Sequence, residues 1–425
     1  MASPAGLFSF KRNLRDFFIQ PGSQLPELDG LRALSIIYVV IFHAFYLIRP
    51  EFKSPELFIN FVDGMPAYAM WVWQGDKGVD MFFILSGFLI ASILMQEHQR
   101  TGQLNIRSFY AKRAIRILPV YILAILIAIA SRKGGGNSEY FWANLLFINN
   151  IIPLDKILIP WSWSLSIEVQ FYVIFPFLLL LLYKSRRPFF WLLMIFLSAT
   201  LIRYAVILAN PALYEKHFYQ LAVREGATPY FFFEKLYVNI YTRMGPLLLG
   251  VILAYLYYYK RERVADYLHA HTRLVGAAGI TALVMLVVIT SIPVFNLKVE
   301  FSQTFNLHNM ALSRNLFASA ISVIMLLALF RVGIGKLFHR FLAMPVWYPF
   351  ARGAYSMYLF HIPFLGLAYL TLGVKTGKHL TGMELHTIFS AALLGLMFSM
   401  VFCLLVYMLV EKPCINIYKK QPRTQ

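Results

Sequence analysis

Apolar runs of about 17–23 residues recur along the whole chain, broken by short polar stretches rich in lysine and arginine. A bilayer core about 30 Å thick is crossed by roughly 20 apolar residues of α-helix, so each run predicts a membrane span. Ten follow: residues 31–49, 79–95, 114–130, 166–183, 189–208, 238–259, 274–293, 311–330, 353–373 and 388–410. Residues 140–151 are a shorter apolar stretch, predicted to lie at the interface or re-enter rather than cross. The first run follows Lys11, Arg12 and Arg15 as a secretion signal would. It is too long for one and lacks a small-residue cleavage site, so it reads as a retained span. No repeat of 20–50 residues occurs, and Gly134-Gly135-Gly136 is the one low-complexity block. The expected fold is an all-α polytopic membrane protein with about ten helices around a central polar cavity. It divides into a cytoplasmic tail over 1–25, a transmembrane domain over 26–412 and a second tail over 413–425, with no soluble domain after the last span.

Composition agrees. Of 425 residues, 59% are hydrophobic and 14% charged, where a soluble domain carries about a quarter charged. The net charge of +19 would suit a nucleic-acid partner, but the basic residues sit in small clusters between spans, so the partner is a lipid bilayer. Those clusters set the orientation, because inner loops are enriched in Lys and Arg. With the N-terminus inside, 22 of the 39 basic residues fall in inner segments and 13 in outer ones. Both termini are therefore expected in the cytoplasm, and the number of spans is expected to be even. Cys403 and Cys414 are too few for a disulfide framework and are expected to pack.

Ionisable residues inside spans are costly and point to function. Arg32 opens the first span and His43 lies eleven residues on. Eleven residues is close to three turns, so both share one helix face, roughly 16–17 Å apart along the axis. Arg32, Arg113 and Arg116 are expected at the cytoplasmic ends of spans, and His43 and His361 near mid-membrane. Asp80, Glu168, Arg203 and Arg243 are placed in the outer half, as an acceptor-side or structural polar path. An enzyme would use such a path, and so would a secondary transporter or a polysaccharide exporter. Against a transporter, the chain lacks paired Gly/Pro-broken helices in two symmetric halves.

Six segments, in order, carry a resemblance: Leu28-Asp-Gly-Leu-Arg-Ala33 with His43; Gly78-Val-Asp-Met-Phe-Phe-Ile-Leu-Ser-Gly-Phe-Leu-Ile90; Phe109-Tyr-Ala-Lys-Arg-Ala-Ile-Arg-Ile-Leu-Pro119; Trp163-Ser-Leu-Ser-Ile-Glu-Val-Gln-Phe-Tyr172; Tyr355-Ser-Met-Tyr-Leu-Phe-His-Ile-Pro363; and Val410-Glu-Lys-Pro413. Together they make the chain resemble the acyltransferase-3 family of integral membrane O-acyltransferases. Val169, Phe360 and Lys412 stand where the family often has an acidic residue, Trp and Arg. The resemblance implies transfer of an acyl group, usually acetyl, from cytoplasmic acyl-CoA to a hydroxyl of a carbohydrate. It implies that Arg32/His43 and Arg113/Arg116 are the functional signatures. Some members add an extracellular SGNH hydrolase-like domain, for which no room is expected here.

The chemistry of these residue types fits that implication. Coenzyme A carries a pyrophosphate and a 3′-phosphate, which call for cations. Arg113 and Arg116 share a helix face and, with Lys112 and Arg32, would clamp those phosphates. The phosphopantetheine arm is about as long as the rise from Arg32 to His43. A neutral His43 would take the proton of the acceptor hydroxyl or form an acyl-imidazole. Glu168 would orient an imidazole or bind the sugar, and His361 is the second catalytic candidate. No metal is called for. Each residue also has a plainer role: Arg113 and Arg116 as membrane anchors, both histidines as helix-packing groups. Asp29 either pairs with Arg32 or caps the helix, and Asp80 and Arg243 would pair to lower their burial cost. Ser164 and Ser166 read as helix-start chemistry, and Ser86-Gly87 as a packing pair. The acceptor is expected to be a sugar of lipopolysaccharide, O-antigen or exopolysaccharide, bound near loops 209–237 and 294–313. The setting is a bacterial inner membrane. Oligomeric state is not legible.

Overall fold

The computed structural model describes residues 10–19, 25–131, 138–222, 230–374 and 384–420. Its ten long helices are α1 (Glu27–Leu47), α2 (Gly78–Thr101), α3 (Ile106–Ser131), α4 (Trp163–Lys184), α5 (Pro188–Leu208), α6 (Ile240–Tyr259), α7 (Thr272–Ser291), α8 (Gln303–Phe330), α9 (Trp347–Thr371) and α10 (Glu384–Val406). Every predicted span falls on one of them, and no strand occurs among the described residues. Among the described residues, nine candidate spans are long and apolar enough to cross a membrane. The tenth long helix, α9, is not among them: it carries Arg352, His361 and four tyrosines in place of lipid-facing leucines. The protein is an all-α polytopic membrane protein.

Burial sorts the helices. In α2 and the turn before it, 83% of the apolar window is buried within the protein, against 22% for α5 and α7. The outer helices turn residues such as Leu201, Val287 and Val288 outward, as a face toward lipid requires. At the centre, α2 and α6 touch through two glycines. A Cβ on Gly87 would lie 2.0 Å from the Leu247 carbonyl oxygen, and one on Gly250 2.1 Å from that of Ile84. Small residues at such crossings let backbones meet closely.

Two irregular segments position the site. Residues Ala67–Lys77 run as 3-10 turns, buried from Val72 to Lys77, directly into α2. Residues 138–162 hold only a five-residue helix, Phe141–Leu145, and short turns before α4, so the 140–151 stretch does not span. Its buried polar side chains bond to one another: Asn144 Nδ2 donates to Tyr121 OH at 3.1 Å, Asn149 Nδ2 to Ser162 Oγ at 2.7 Å, and Ser166 Oγ to Asn149. The segment keeps its irregular backbone inside the protein, where Gln170 Nε2 donates to the Phe147 carbonyl at 2.9 Å and Ser162 Oγ to that of Ile159 at 2.8 Å. It also starts α4 in the interior, with Trp163 and Ser164 already buried.

The chain ends described here meet. Helix Phe10–Phe18 buries Phe17 against Tyr407, ring centroids 5.2 Å apart, and Asp16 accepts from Lys412 Nζ at 2.6 Å. The segments expected as tails thus include packed helix at Phe10–Phe18 and at Lys412–Lys420. Beside Lys412, the Asp16 carboxyl is held below its ordinary range.

Candidate active site

Two cavities lie in the interior and share the walls Val79 and Tyr358. The smaller, about 130 Å³, is lined by Arg32, Arg113, Arg116 and Arg352 together with Glu168 and Glu411. Arg32 reaches it from the first turns of α1, paired with Asp29 three residues back at 3.5 Å. Arg113 and Arg116 come from successive positions of one face of α3. Arg352 of α9 donates to Tyr407 OH at 2.8 Å, and among the described residues neither its Nε nor that of Arg113 has a hydrogen-bond partner. Glu168 accepts from Ser86 of α2 and from Tyr172 one turn along α4. Four guanidiniums around two carboxylates form a cavity suited to a polyanion.

Two expectations need correction here. Lys112 does not join the arginines: it is exposed and lines a separate cleft with Glu97 and Arg100. The cavity faces the side of α3 that bears Arg113, Arg116 and Ile117, and Lys112 lies about 100° around the helix from Arg113. Glu168 lies not beside an imidazole but among Arg32, Arg113 and Arg116. Because α4 begins inside the protein, five residues carry it to the arginine cavity, where its hydrogen bonds go to Ser86 and Tyr172.

The larger cavity, about 290 Å³, is lined by His43 with Trp161, Tyr237 and other aromatics, and by Lys77, Arg203 and Arg314. Arg32 and His43, on one face of α1, therefore reach different cavities. The His43 ring centroid lies 4.8 Å from that of His361, which is fully buried on α9. His361 Nδ1 sits 2.8 Å from the Tyr358 carbonyl and 3.2 Å from that of Met357. Carbonyls only accept, so this nitrogen carries hydrogen and Nε2 holds a lone pair. That lone pair faces His43 Nδ1 at 3.2 Å, and His43 Nδ1 is also 2.9 Å from the Val39 carbonyl. His43 Nδ1 must then be the donor, which leaves His43 Nε2 as a proton acceptor. The pair has the base-and-orienter form of nucleophile-activating sites. Tyr358, the wall between the cavities, donates to the Trp161 carbonyl and is hydrogen-bonded to Ser164 at 2.5 Å.

The polar path is a cluster of buried charges beside the larger cavity, in which Arg243 is held by ion pairing and aromatic faces and makes no hydrogen bond among the described residues. Arg314 Nη1 donates to Asp80 at 2.7 Å and Nη2 to Asp76. Arg243 lies 3.2 Å from Asp80 and over the rings of Tyr237 and Trp163, at 5.0 and 5.1 Å. Arg203 donates to the carbonyls of Met310 at 2.8 Å and Thr242 at 3.0 Å. Sequence reasoning passed over Arg314, Asp76, Lys77 and Arg352. Asp76 and Lys77 looked like loop residues, and Arg314 stands at the start of an apolar run. The one available signal was the Asp76/Asp80 spacing of one helical turn at the entry to α2.

Comparison with known proteins adds the family. A family model described as an acyltransferase domain matches residues 25–408. O-acetyltransferase OatA of Staphylococcus aureus (strain NCTC 8325) is 25% identical over 364 residues, covering 80% of this chain and 50% of OatA. SACOL0978 of Staphylococcus aureus (strain COL), whose name carries a provisional O-acetyltransferase assignment, is 26% identical over 254 residues, 55% of this chain and 35% of the relative. The chain thus spans half or less of the length of these relatives within the matched regions. No solved structure matches it. With the model covering nearly the whole chain and five of the six sequence segments, Val410–Pro413 lying just past its end, the chain belongs to the acyltransferase-3 family of integral membrane proteins.

Proposed function

We propose that the protein is a membrane O-acyltransferase that moves an acyl group, acetyl foremost, from acyl-CoA to a hydroxyl of a cell-envelope carbohydrate. The observation that carries this reading is the pair of adjoining cavities served by one face of α1: Arg32 lines one and His43 the other. In this reading the CoA phosphates lie among Arg32, Arg113, Arg116 and Arg352, and the thioester extends past Tyr358 toward His43. The acceptor lies in the aromatic cavity. His43 Nε2 takes the hydroxyl proton as the oxygen attacks the thioester carbonyl. The tetrahedral adduct collapses, the C–S bond breaks, and the proton passes from the imidazolium to the CoA thiolate. His361 Nε2 accepts from His43 Nδ1 throughout, holding the ring in one tautomer and stabilising its cation.

The basic-residue count would put the arginine cavity on the cytoplasmic side, where acyl-CoA is made, in a bacterial inner membrane. The test is single-turnover transfer from labelled acetyl-CoA to envelope glycan by purified protein. Wild type is expected to release CoA and label the glycan. His43→Gln, folded and still binding acetyl-CoA, is expected to lose at least about a hundredfold in rate. Transfer by the variant at the wild-type rate would remove His43 from the chemistry. Glycan movement without CoA release would favour a carrier instead.

A further inference from the structure

The polar wall of the His43 cavity is not electrically balanced. Among the described residues Lys77, Arg203, Arg314 and Asp76 line it, and Asp80 and Arg243 lie directly behind, Asp80 ion-paired with Arg314 and Arg243: four buried cations against two buried carboxylates. The carboxylates are already committed. Asp80 faces Arg243 and Arg314, and Asp76 takes the second arm of Arg314. Arg243 is further stabilised by the faces of Tyr237 and Trp163. Lys77 and Arg203 remain. Lys77 Nζ donates to the side-chain oxygen of Gln74, and Arg203 to two backbone carbonyls. These are neutral acceptors that solvate a cation without neutralising it. Both residues line the cavity, and they are only 5% and 3% exposed. Two uncompensated charges in a protein interior are strongly unfavourable unless a ligand supplies the counter-charge.

We propose that the acceptor is an anionic saccharide, its carboxylate or phosphate held by Lys77 and Arg203 while the hydroxyl to be acylated lies at His43. This deepens the acyltransferase reading and rests on it. Aromatic rings such as Trp161 and Tyr237 in the same cavity suit the apolar faces of a sugar, so charge and stacking would together fix which hydroxyl meets the base. An acceptor that is neutral around the acylated hydroxyl would leave the two cations buried and unpaired.

The experiment divides envelope glycans of the host into neutral and anionic pools by anion exchange. Each pool is incubated with the full purified protein and labelled acetyl-CoA. Label is expected in the anionic pool, and it is expected to vanish after carboxyl reduction or after phosphate removal, whichever group is recognised. Label in the neutral pool, or anionic label that survives both treatments, overturns the proposal while leaving the acyltransferase reading intact. Label in neither pool removes that reading and this inference with it. Kinetically, Lys77→Gln should raise the acceptor KM by roughly ten- to a hundredfold with the acetyl-CoA KM unchanged. Lys77→Arg, which keeps the charge in a different shape, should recover part of the acceptor affinity, and the unchanged acetyl-CoA KM reports that each variant is folded. An unchanged acceptor KM in folded Lys77→Gln and Arg203→Gln would also overturn the proposal.

Discussion

At the scale of single residues, the assignments divide by what a linear pattern can hold. The Arg32/His43 spacing was readable because three helical turns fix a common face whatever surrounds it. The His43–His361 contact was not, because it joins residues 318 apart in the chain. If His361 positions His43, removing its acceptor nitrogen should act on turnover. His361→Phe is expected to lower kcat by about tenfold or more and leave both KM values in place, measured by steady-state kinetics on folded protein. A rise in KM with kcat held would make His361 a packing residue. The arginines are tested on the donor side. Arg113→Ala or Arg116→Ala should weaken acetyl-CoA binding by roughly ten- to a hundredfold, the cost of a lost charge-assisted contact. Arg116→Lys should recover only part, since an ammonium cannot reproduce a guanidinium fork. Titration calorimetry on detergent-solubilised protein reads both, and unchanged affinity would return these residues to membrane anchoring.

At the scale of elements, helices came straight from the apolar runs, because a span must be both long and apolar. Depth did not. The segments 67–77 and 138–162 have no period to read, and side chains distant in sequence, Tyr38, Gln170 and Tyr358, donate to their carbonyls at Trp71, Phe147 and Trp161. These segments decide where α2 and α4 begin, and so set Glu168 among the arginines instead of beside an imidazole. The same irregularity brings Asp76 and Lys77 inside. The tight element contact is testable by volume. Gly87→Val would drive its side chain into the Leu247 backbone, where even a Cβ would lie at 2.0 Å. Backbone cannot yield there as a flexible side chain could, so α2 and α6 must separate. The variant is expected to lower the thermal midpoint in detergent by several degrees and to lose activity. Gly102→Ala, at a helix end with open space around it, should cost far less despite its positive φ. Equal midpoints for Gly87→Val and wild type would show that this crossing is not tightly packed.

At the scale of the whole molecule, the described ends of the chain and the arginine cavity share one side. Asp16 and Phe17 touch Lys412 and Tyr407, while Glu411 and Arg352 line the arginine cavity. A chain whose two ends meet on one side of a bilayer crosses it an even number of times. The meeting of the ends is independent of charge and agrees with the excess of basic residues in the segments expected inside. Helix α9 counts as a full crossing despite its polar content: Arg352 lines the arginine cavity and His361 packs against His43, so neither meets lipid. The expected topology has both termini and the arginine cavity in the cytoplasm, with the loop over 209–237 outside. Reporter fusions after Gln425 and within 209–237 should read cytoplasm and exterior respectively. The Asp16–Lys412 contact adds a second measurement at this scale. Its carboxyl is depressed in the folded protein by the adjacent ammonium. The stability it contributes is therefore complete above the ordinary carboxylate pKa and is lost as pH falls through the folded value. Asp16→Asn should lower the thermal midpoint slightly at pH 7 and by less at pH 3, because the wild-type contact is itself weakened there. The effect should stay within about 1 kcal/mol, as for other partly exposed pairs. A C-terminal reporter that reads exterior would place the arginine cavity away from cytoplasmic acyl-CoA and would require a different route for the donor.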